Sequence, residues 1–168
     1  LLEYASGIAT RTHKMVEQVQ QVAPHVTVVT TRKSVPGARK MMTKAILSGG
    51  AMPHRLGLSE TVLIFDEHIR FMGDFDTLLS QVSQLKARLG EKMVVAEAHT
   101  HDAALQLAQA GVDMVQLDKL DVEATRHVTT AIKAAYPRVK VAIAGGVRLD
   151  NAAAYASTGV DMLVTSSL

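Results

Sequence analysis

The chain has 168 residues, 48% apolar and 20% charged, enough for one globular domain with a sizeable core. A formal net charge of only +2 argues against a general nucleic-acid binder, so any cationic site has to be local. The absence of cysteine excludes disulfides, thiolate metal ligands and a cysteine nucleophile. No apolar run approaches the roughly 18 residues of a membrane span, and no basic, small-residue-terminated leader is visible, which makes cytoplasm the expected compartment.

Residues 1–22, LLEYASGIATRTHKMVEQVQQV, read as a helix with no starting Met. The first β-rich run, VTVVT (26–30), follows, and the second is TVLIF (61–65). DFDTLLSQVSQLKARLG (74–90) is an amphipathic helix leading to MVVAE (93–97). DAALQLAQAG (102–111) has helical spacing with Gly111 as its C-cap, and DMVQL (113–117) comes next. DVEATRHVTTAIKAAYP (121–137) opens on Asp121 as N-cap and closes at Pro137 before VKVAIA (139–144). RLDNAAAYASTG (148–159) is a last helix before DMLVT (161–165), after which the chain stops. It is therefore read as part of a longer protein. Several of the six β-rich runs are almost wholly apolar, as strands covered on both faces require. Strand and helix in alternation predict an α/β domain with a parallel sheet, either a (β/α) barrel or a doubly wound sheet. No G-x-G-x-x-G follows the first strand, which weakens a dinucleotide reading, and no sequence repeat stands out.

In such sheets the loops at the carboxyl ends of the strands converge, and reactive side chains collect there. Those ends offer Thr31, Arg32 and Lys33; Asp66, Glu67 and His68; Glu97, His99 and His101; Asp118 and Lys119; Gly145 and Gly146; and Thr165, Ser166 and Ser167. Arg32 and Lys33 taken alone suit a solvated turn. A second cationic pair, His54 and Arg55, lies in the glycine-rich GGAMPHRLG before the second run, and together the two pairs point to an anionic substrate. Glu97 and Asp118 either cap the following helices or hold ribose hydroxyls, hold Mg²⁺, or stabilise a developing cation. Gly145 and Gly146, paired with Thr165 and Ser166 at the next strand end, suit a phosphate site late in a barrel. His99-Thr100-His101 has the spacing of a strand-borne metal pair, with His68 or Asp118 as a third ligand, but Thr100 to Asp102 read more simply as a helix start.

SGIATRT, TTRKSVPGARK, GGAMPHRLGL, LIFDEH, AQAGVDMVQLDK and AGGVRLDNAAAYASTGVDM occur here in an order that resembles quinolinate phosphoribosyltransferase, the nicotinate-nucleotide pyrophosphorylase family. RLGLSETVLIFDEH is similar to its ModD branch, pyrophosphorylase-like proteins encoded with molybdate transporters. The resemblance covers the whole chain and implies a single domain over residues 1–168: the family's C-terminal open, incomplete TIM-like (β/α) barrel. The N-terminal α/β sandwich of about a hundred residues would lie outside the chain. It implies an enzyme, a pentosyltransferase that moves phosphoribosyl from phosphoribosyl pyrophosphate to the ring nitrogen of a heterocyclic acid. It also implies a homodimer or higher homo-oligomer in which the partner's N-terminal domain completes each site, with neither nucleic acid nor membrane as partner.

Carried over by position, the resemblance makes Lys33, Glu97 and Asp118 the catalytic residues. Arg32, His54, Arg55 and His68 bind substrate, and Gly145, Gly146, Thr165 and Ser166 bind phosphate. The cofactor is Mg²⁺, brought with the donor near Glu97 and Asp118 rather than held by protein alone. Three positions depart from the family pattern: Phe65 stands for a lysine that helps bind the second carboxylate of quinolinate, Ala144 for a serine and Ser166 for a glycine. Loss of one cation from a buried dianion site costs on the order of 2–5 kcal/mol, so a less anionic nitrogen heterocycle is the expected acceptor. The alternatives are quinolinate itself, in NAD biosynthesis, and a non-catalytic relative that keeps only the phosphate site.

Overall fold

A computed structural model describes residues 1–57 and 59–168; Leu58, inside the quoted RLGL run, lies outside the described residues. The long amphipathic helix α1 (Leu2–Val22) precedes β1 (Thr27–Thr30), and α2 (Arg39–Ser48) leads to the two-residue β2 (Met52–Pro53). β3 (Val62–Ile64), the short α3 (Asp66–Met72) and α4 (Phe75–Leu89) follow. The remainder alternates: β4 (Val94–Ala98), α5 (His101–Ala110), β5 (Met114–Asp118), α6 (Val122–Ala135), β6 (Lys140–Ala144), α7 (Ala152–Ala156) and β7 (Met162–Thr165).

All strand pairs are parallel, and the sheet runs β2-β1-β7-β6-β5-β4-β3. That order is cyclic: β1 lies beside β7, while β2 and β3, consecutive in the chain, occupy the two edges. A doubly wound sheet reverses direction at an interior strand. This one curls as a barrel opened between β2 and β3, which settles the two alternatives in favour of the open (β/α) barrel.

Strand side chains alternate between two apolar layers. On β6, Val141 and Ile143 join the large outer cluster under the helices, with Met15, Val19, Leu107, Ile132 and Leu163. Ala142 and Ala144 join the inner cluster, with Val29, Leu63, Val95, Met114 and Val164. The inner layer is thin, and above it space remains at the carboxyl ends.

The caps expected from sequence are present. Thr100 Oγ1 accepts from Ala103 N–H at 3.2 Å, Asp121 Oδ1 accepts from Ala124 N–H at 2.8 Å, and Gly111 ends α5 in the left-handed region. Residues 148–159 form only a five-residue helix, because Asn151 bends the preceding loop back: its Oδ1 accepts from Arg148 N–H and its Nδ2 donates to Gly146 O.

Two features escaped the sequence. Among the described residues β2 brings the strands to seven instead of six. The tetrapeptide GVDM occurs twice, at 111–114 and 159–162, and each aspartate makes the same contacts. Asp113 Oδ1 takes Lys86 Nζ at 2.6 Å, and its Oδ2 takes Val94 N–H at 2.8 Å. Asp161 Oδ2 takes Lys133 Nζ at 2.6 Å and Val141 N–H at 2.7 Å. These two staples tie helix, loop and neighbouring strand at the amino ends of the strands, away from the cavity. Among the described residues no helix is long and apolar enough to cross a membrane.

Candidate active site

A cavity of about 850 Å³ opens at the carboxyl ends of the strands and takes lining residues from all seven. Leu63, Phe65, Ala144 and Val164, continuous with the inner core, make its apolar floor.

One wall is cationic. β1 ends into Thr31, Arg32 and Lys33, and β2 into His54 and Arg55. His54 N–H donates to Thr30 O at 2.8 Å, so the ladder runs one residue past β2 and sets the His54-Arg55 pair beside the β1 end. The pair thus stands at the carboxyl end of its own strand, where the sequence placed it merely ahead of the next one. Two residues carry no readable period, and Pro53 is tolerated because β2 is an edge strand. Arg39 bonds Leu56 O, and Glu60 Oε2 accepts from Leu56 N–H at 2.7 Å, which fixes the loop that carries the pair. Burial, then the charge of Arg32, lower the Arg55 pKa, with Glu60 opposing. Burial and the neighbouring Arg55 also lower that of His54, so at neutral pH His54 is an uncharged imidazole instead of half of a cationic pair. Among the described residues Arg32, Lys33 and Arg55 form no ion pair.

The facing wall is acidic. Glu97 on β4 and Asp118 on β5 are both half-buried and line the cavity. Burial raises the Glu97 carboxyl, and Asp118 raises it further, against a hydrogen bond from Gln116 and the proximity of His99. Two carboxylates in one another's field favour a cation between them, and their hard oxygens suit Mg²⁺. Lys119 takes a positive φ of 58°, which turns the chain sharply after Asp118. Its N–H donates to Ala144 O at 2.9 Å, and Gly145 packs against this turn. A Cβ on Gly145 would lie 2.5 Å from Asp118 Oδ1 and 2.8 Å from Lys119 N, so only glycine fits there.

The third side is the double loop after β6 and β7. Gly145 and Gly146 both have left-handed φ, at 79° and 94°. Thr165 is 2% exposed: its Oγ1 donates to Val147 O at 2.7 Å and accepts from Ser167 N–H at 3.0 Å. That hydroxyl is committed to clamping the two loops together, so Thr165 shapes this side of the cavity. The exposed Ser166 and the flanking Ser167 are the hydroxyls presented to it.

His68 differs from expectation. It lies in the first turn of α3, where its Nδ1 accepts the Phe65 N–H at 3.0 Å and its ring stacks on Phe65 at 5.8 Å, and it does not line the cavity. His101 also leaves the site, stacking on His127 on the outer helices, so the His99/His101 metal pair does not form. Polar and charged lining residues given no role from sequence are Thr31, Gln116, Lys119, Arg148 and Ser167. Gln116 had a legible signal: a polar residue in an apolar strand, in the same inward register as Met114 and Asp118.

Residues 8–168 match the family model for the quinolinate phosphoribosyl transferase C-terminal domain. The ModD protein of Rhodobacter capsulatus is 42% identical over 153 residues, covering 91% of this chain and 58% of that protein. ModD of Pasteurella multocida is 34% identical over 167 residues, 99% of this chain and 59% of that protein. The solved NadC of Streptococcus pyogenes superposes with a TM-score of 0.81 at 28% identity, covering 96% of this chain and 54% of that one. The nicotinate-nucleotide pyrophosphorylase of Francisella tularensis superposes at 0.80 with 30% identity, covering 96% and 55%. The chain thus spans a little over half the length of the relatives it matches. With the cyclic strand order and the cavity at its carboxyl face, these matches place the chain in the quinolinate phosphoribosyltransferase family, as its C-terminal barrel domain.

Proposed function

We propose that the protein carrying this barrel transfers a phosphoribosyl group from phosphoribosyl pyrophosphate to the ring nitrogen of a heterocyclic monoacid. The nitrogen lone pair forms the new bond to the ribosyl carbon, and the bond to pyrophosphate breaks with its electron pair leaving on the pyrophosphate. One observation carries the reading: cations that form no ion pair among the described residues face a carboxylate pair across one cavity. An acid held on one side and a ribosyl cation stabilised on the other need that polarity.

In this reading Arg32 and Arg55 grip the acceptor carboxylate in a forked geometry, with His54 donating a hydrogen bond. Lys33 lies towards the donor's pyrophosphate. Glu97 and Asp118 hold the ribose hydroxyls and stabilise positive charge at the ribosyl carbon. They also carry the oxygens for Mg²⁺, whose chemistry there is to neutralise the leaving pyrophosphate. Gly145, Gly146 and Ser166 receive the 5′-phosphate through backbone N–H groups and hydroxyl. Rate enhancement comes from positioning and fixed charge rather than proton transfer.

Phe65 selects the acceptor. It lines the cavity floor, stacked on His68, where the family pattern has a lysine. An aromatic face there holds a heterocycle by stacking and offers nothing to a second carboxylate. Likeness to ModD proteins supports this branch, and an association with molybdenum use, implied by the family resemblance alone, belongs to the same proposal. The homodimer implied by the family resemblance belongs to the same proposal.

Labelled phosphoribosyl pyrophosphate, Mg²⁺ and a panel of heterocyclic monoacids and diacids test it on the full-length protein. Pyrophosphate release with a monoacid, lost in Glu97→Gln, is the expected result. Release with quinolinate alone would instead make the protein a quinolinate phosphoribosyltransferase, and donor binding without release from any acid would make it a non-catalytic relative.

A further inference from the structure

Gln116 stands in the middle of β5, in the inward register of Met114 and Asp118. It is 4% exposed and lines the cavity beside the apolar floor of Leu63, Phe65, Ala144 and Val164. Its partners in register are Glu97 on β4 and Ala142 on β6. Its Nε2 donates to Glu97 Oε1 at 3.1 Å, while its buried Oε1 has no hydrogen-bond partner among the described residues. A buried amide oxygen left without a donor is costly, and an apolar side chain would complete the floor without that cost. The Glu97 contact also fixes which end of the amide is free. A carboxylate only accepts, so Glu97 holds the nitrogen end and Gln116 is left with an acceptor to offer.

We propose that Gln116 is a specificity-determining residue whose Oε1 accepts a hydrogen bond from the acceptor ring, so that the substrate is a heterocyclic monoacid bearing an amino or hydroxyl group. This deepens the transferase reading above and rests on it for the ligand being the phosphoribosyl acceptor. Three contacts then orient the ring. Its carboxylate meets Arg32 and Arg55, its face lies on Phe65, and its donor group meets Gln116, which leaves the ring nitrogen for the ribosyl carbon. The terminal torsion of a glutamine is soft, so a small tilt turns Oε1 to a ring seated on Phe65 while Nε2 stays on Glu97. An acid with a methyl group in the same place leaves the buried oxygen unpaired, and the site rejects it for that reason.

The test uses the full-length protein and matched pyridine monocarboxylates that carry an amino, a hydroxyl or a methyl group at the same ring carbon, each free carbon taken in turn. Calorimetry reads their affinity, and pyrophosphate release reads transfer once phosphoribosyl pyrophosphate and Mg²⁺ are added. At one ring position the amino or hydroxyl acid should bind about tenfold or more tighter than its methyl counterpart. Gln116→Met, of similar length and without the amide, should level or invert that pair. An equal loss for both members of the pair would mean that Gln116 only supports Glu97, and would overturn the proposal. The unsubstituted protein decides the matter even if Gln116→Met does not fold: no preference at any ring position, whether all the acids bind or none does, overturns it too. Pyrophosphate release with amino and methyl acids alike would sink this inference and leave the transferase reading. Selective binding of an amino or hydroxyl acid that never receives the phosphoribosyl group would do the reverse.

Discussion

In the proposed transfer, the pH dependence of acid binding is set at His54. Burial and Arg55 hold its pKa below the ordinary value of 6.5, so the imidazole is neutral at pH 7. An anion bound against it favours the imidazolium and raises that pKa. Binding therefore takes up a proton, and affinity for the acid rises as pH falls below neutrality through the His54 titration. Calorimetry in buffers of different ionisation enthalpy should show the uptake, and His54→Gln should flatten it; a pH-independent affinity in the unsubstituted protein would show that His54 does not meet the acid. Phe65 is the second residue with a sharp consequence. Phe65→Lys restores a cation to the floor and should tighten quinolinate binding by about tenfold or more while weakening a monoacid. Unchanged selectivity between the two would remove Phe65 from the acceptor site. Arg32, Glu97 and Asp118 were legible as strand-end charges because the parallel α/β pattern itself says where such ends converge, whereas Arg55 stood out only as half of a second cationic pair, its strand being too short to read. His68 was not, because the same D-E-H run begins α3 and turns the imidazole back onto its own cap.

The elements divide their work between the two ends of the barrel. The cavity end carries what stability alone would avoid: a non-glycine residue at positive φ, two adjacent left-handed glycines and three cations, Arg32, Lys33 and Arg55, that form no ion pair among the described residues. The amino end carries the two lysine–aspartate staples, which satisfy the N–H of Val94, the first residue of β4, and of Val141, the second of β6. Asp161→Ala strands the Val141 N–H and frees Lys133, and should cost about 1–3 kcal/mol. Lys133→Met keeps the backbone bond and should cost only about 0–1 kcal/mol, because the ion pair is partly solvated. Urea unfolding separates them, and equal losses would mean that the ion pair, not the backbone bond, is the stabilising part. Periodicity found the long elements because each buries a full stripe or face. It missed β2, whose hydrogen bonds come from β1 and whose two side chains declare no pattern. It also missed the GVDM staples, since a four-residue echo means nothing until both copies are seen at the same end of the sheet.

For the whole molecule, the cyclic strand order leaves a seam between β2 and β3, and the cavity lies across it. Cations come from the β1–β2 side and carboxylates from β4 and β5, so a ligand that touches both spans the opening. The sequence alone left barrel and doubly wound sheet undecided, because both show the same alternation; only the pairing of β1 with β7 separates them. Local stability should fall from the sheet's centre to this seam. Val115, Leu117, Val141, Ala142 and Ile143 on β5 and β6 are fully buried, whereas α3 buries no residue at all, its Phe71 is 97% exposed, and β2 is an edge of two residues. Hydrogen exchange of the free protein should therefore be slowest in β5 and β6 and fastest in α3 and residues 52–57. A ligand binding only the folded state adds protection where it holds the chain. Phosphoribosyl pyrophosphate with a divalent ion and an acceptor acid should slow exchange in residues 31–33 and 52–57 together with the Asp118–Lys119 turn, on both sides of the opening. Protection confined to the loops after β6 and β7 would mean that the ligand is held by its phosphate alone and that the two walls do not act on one substrate.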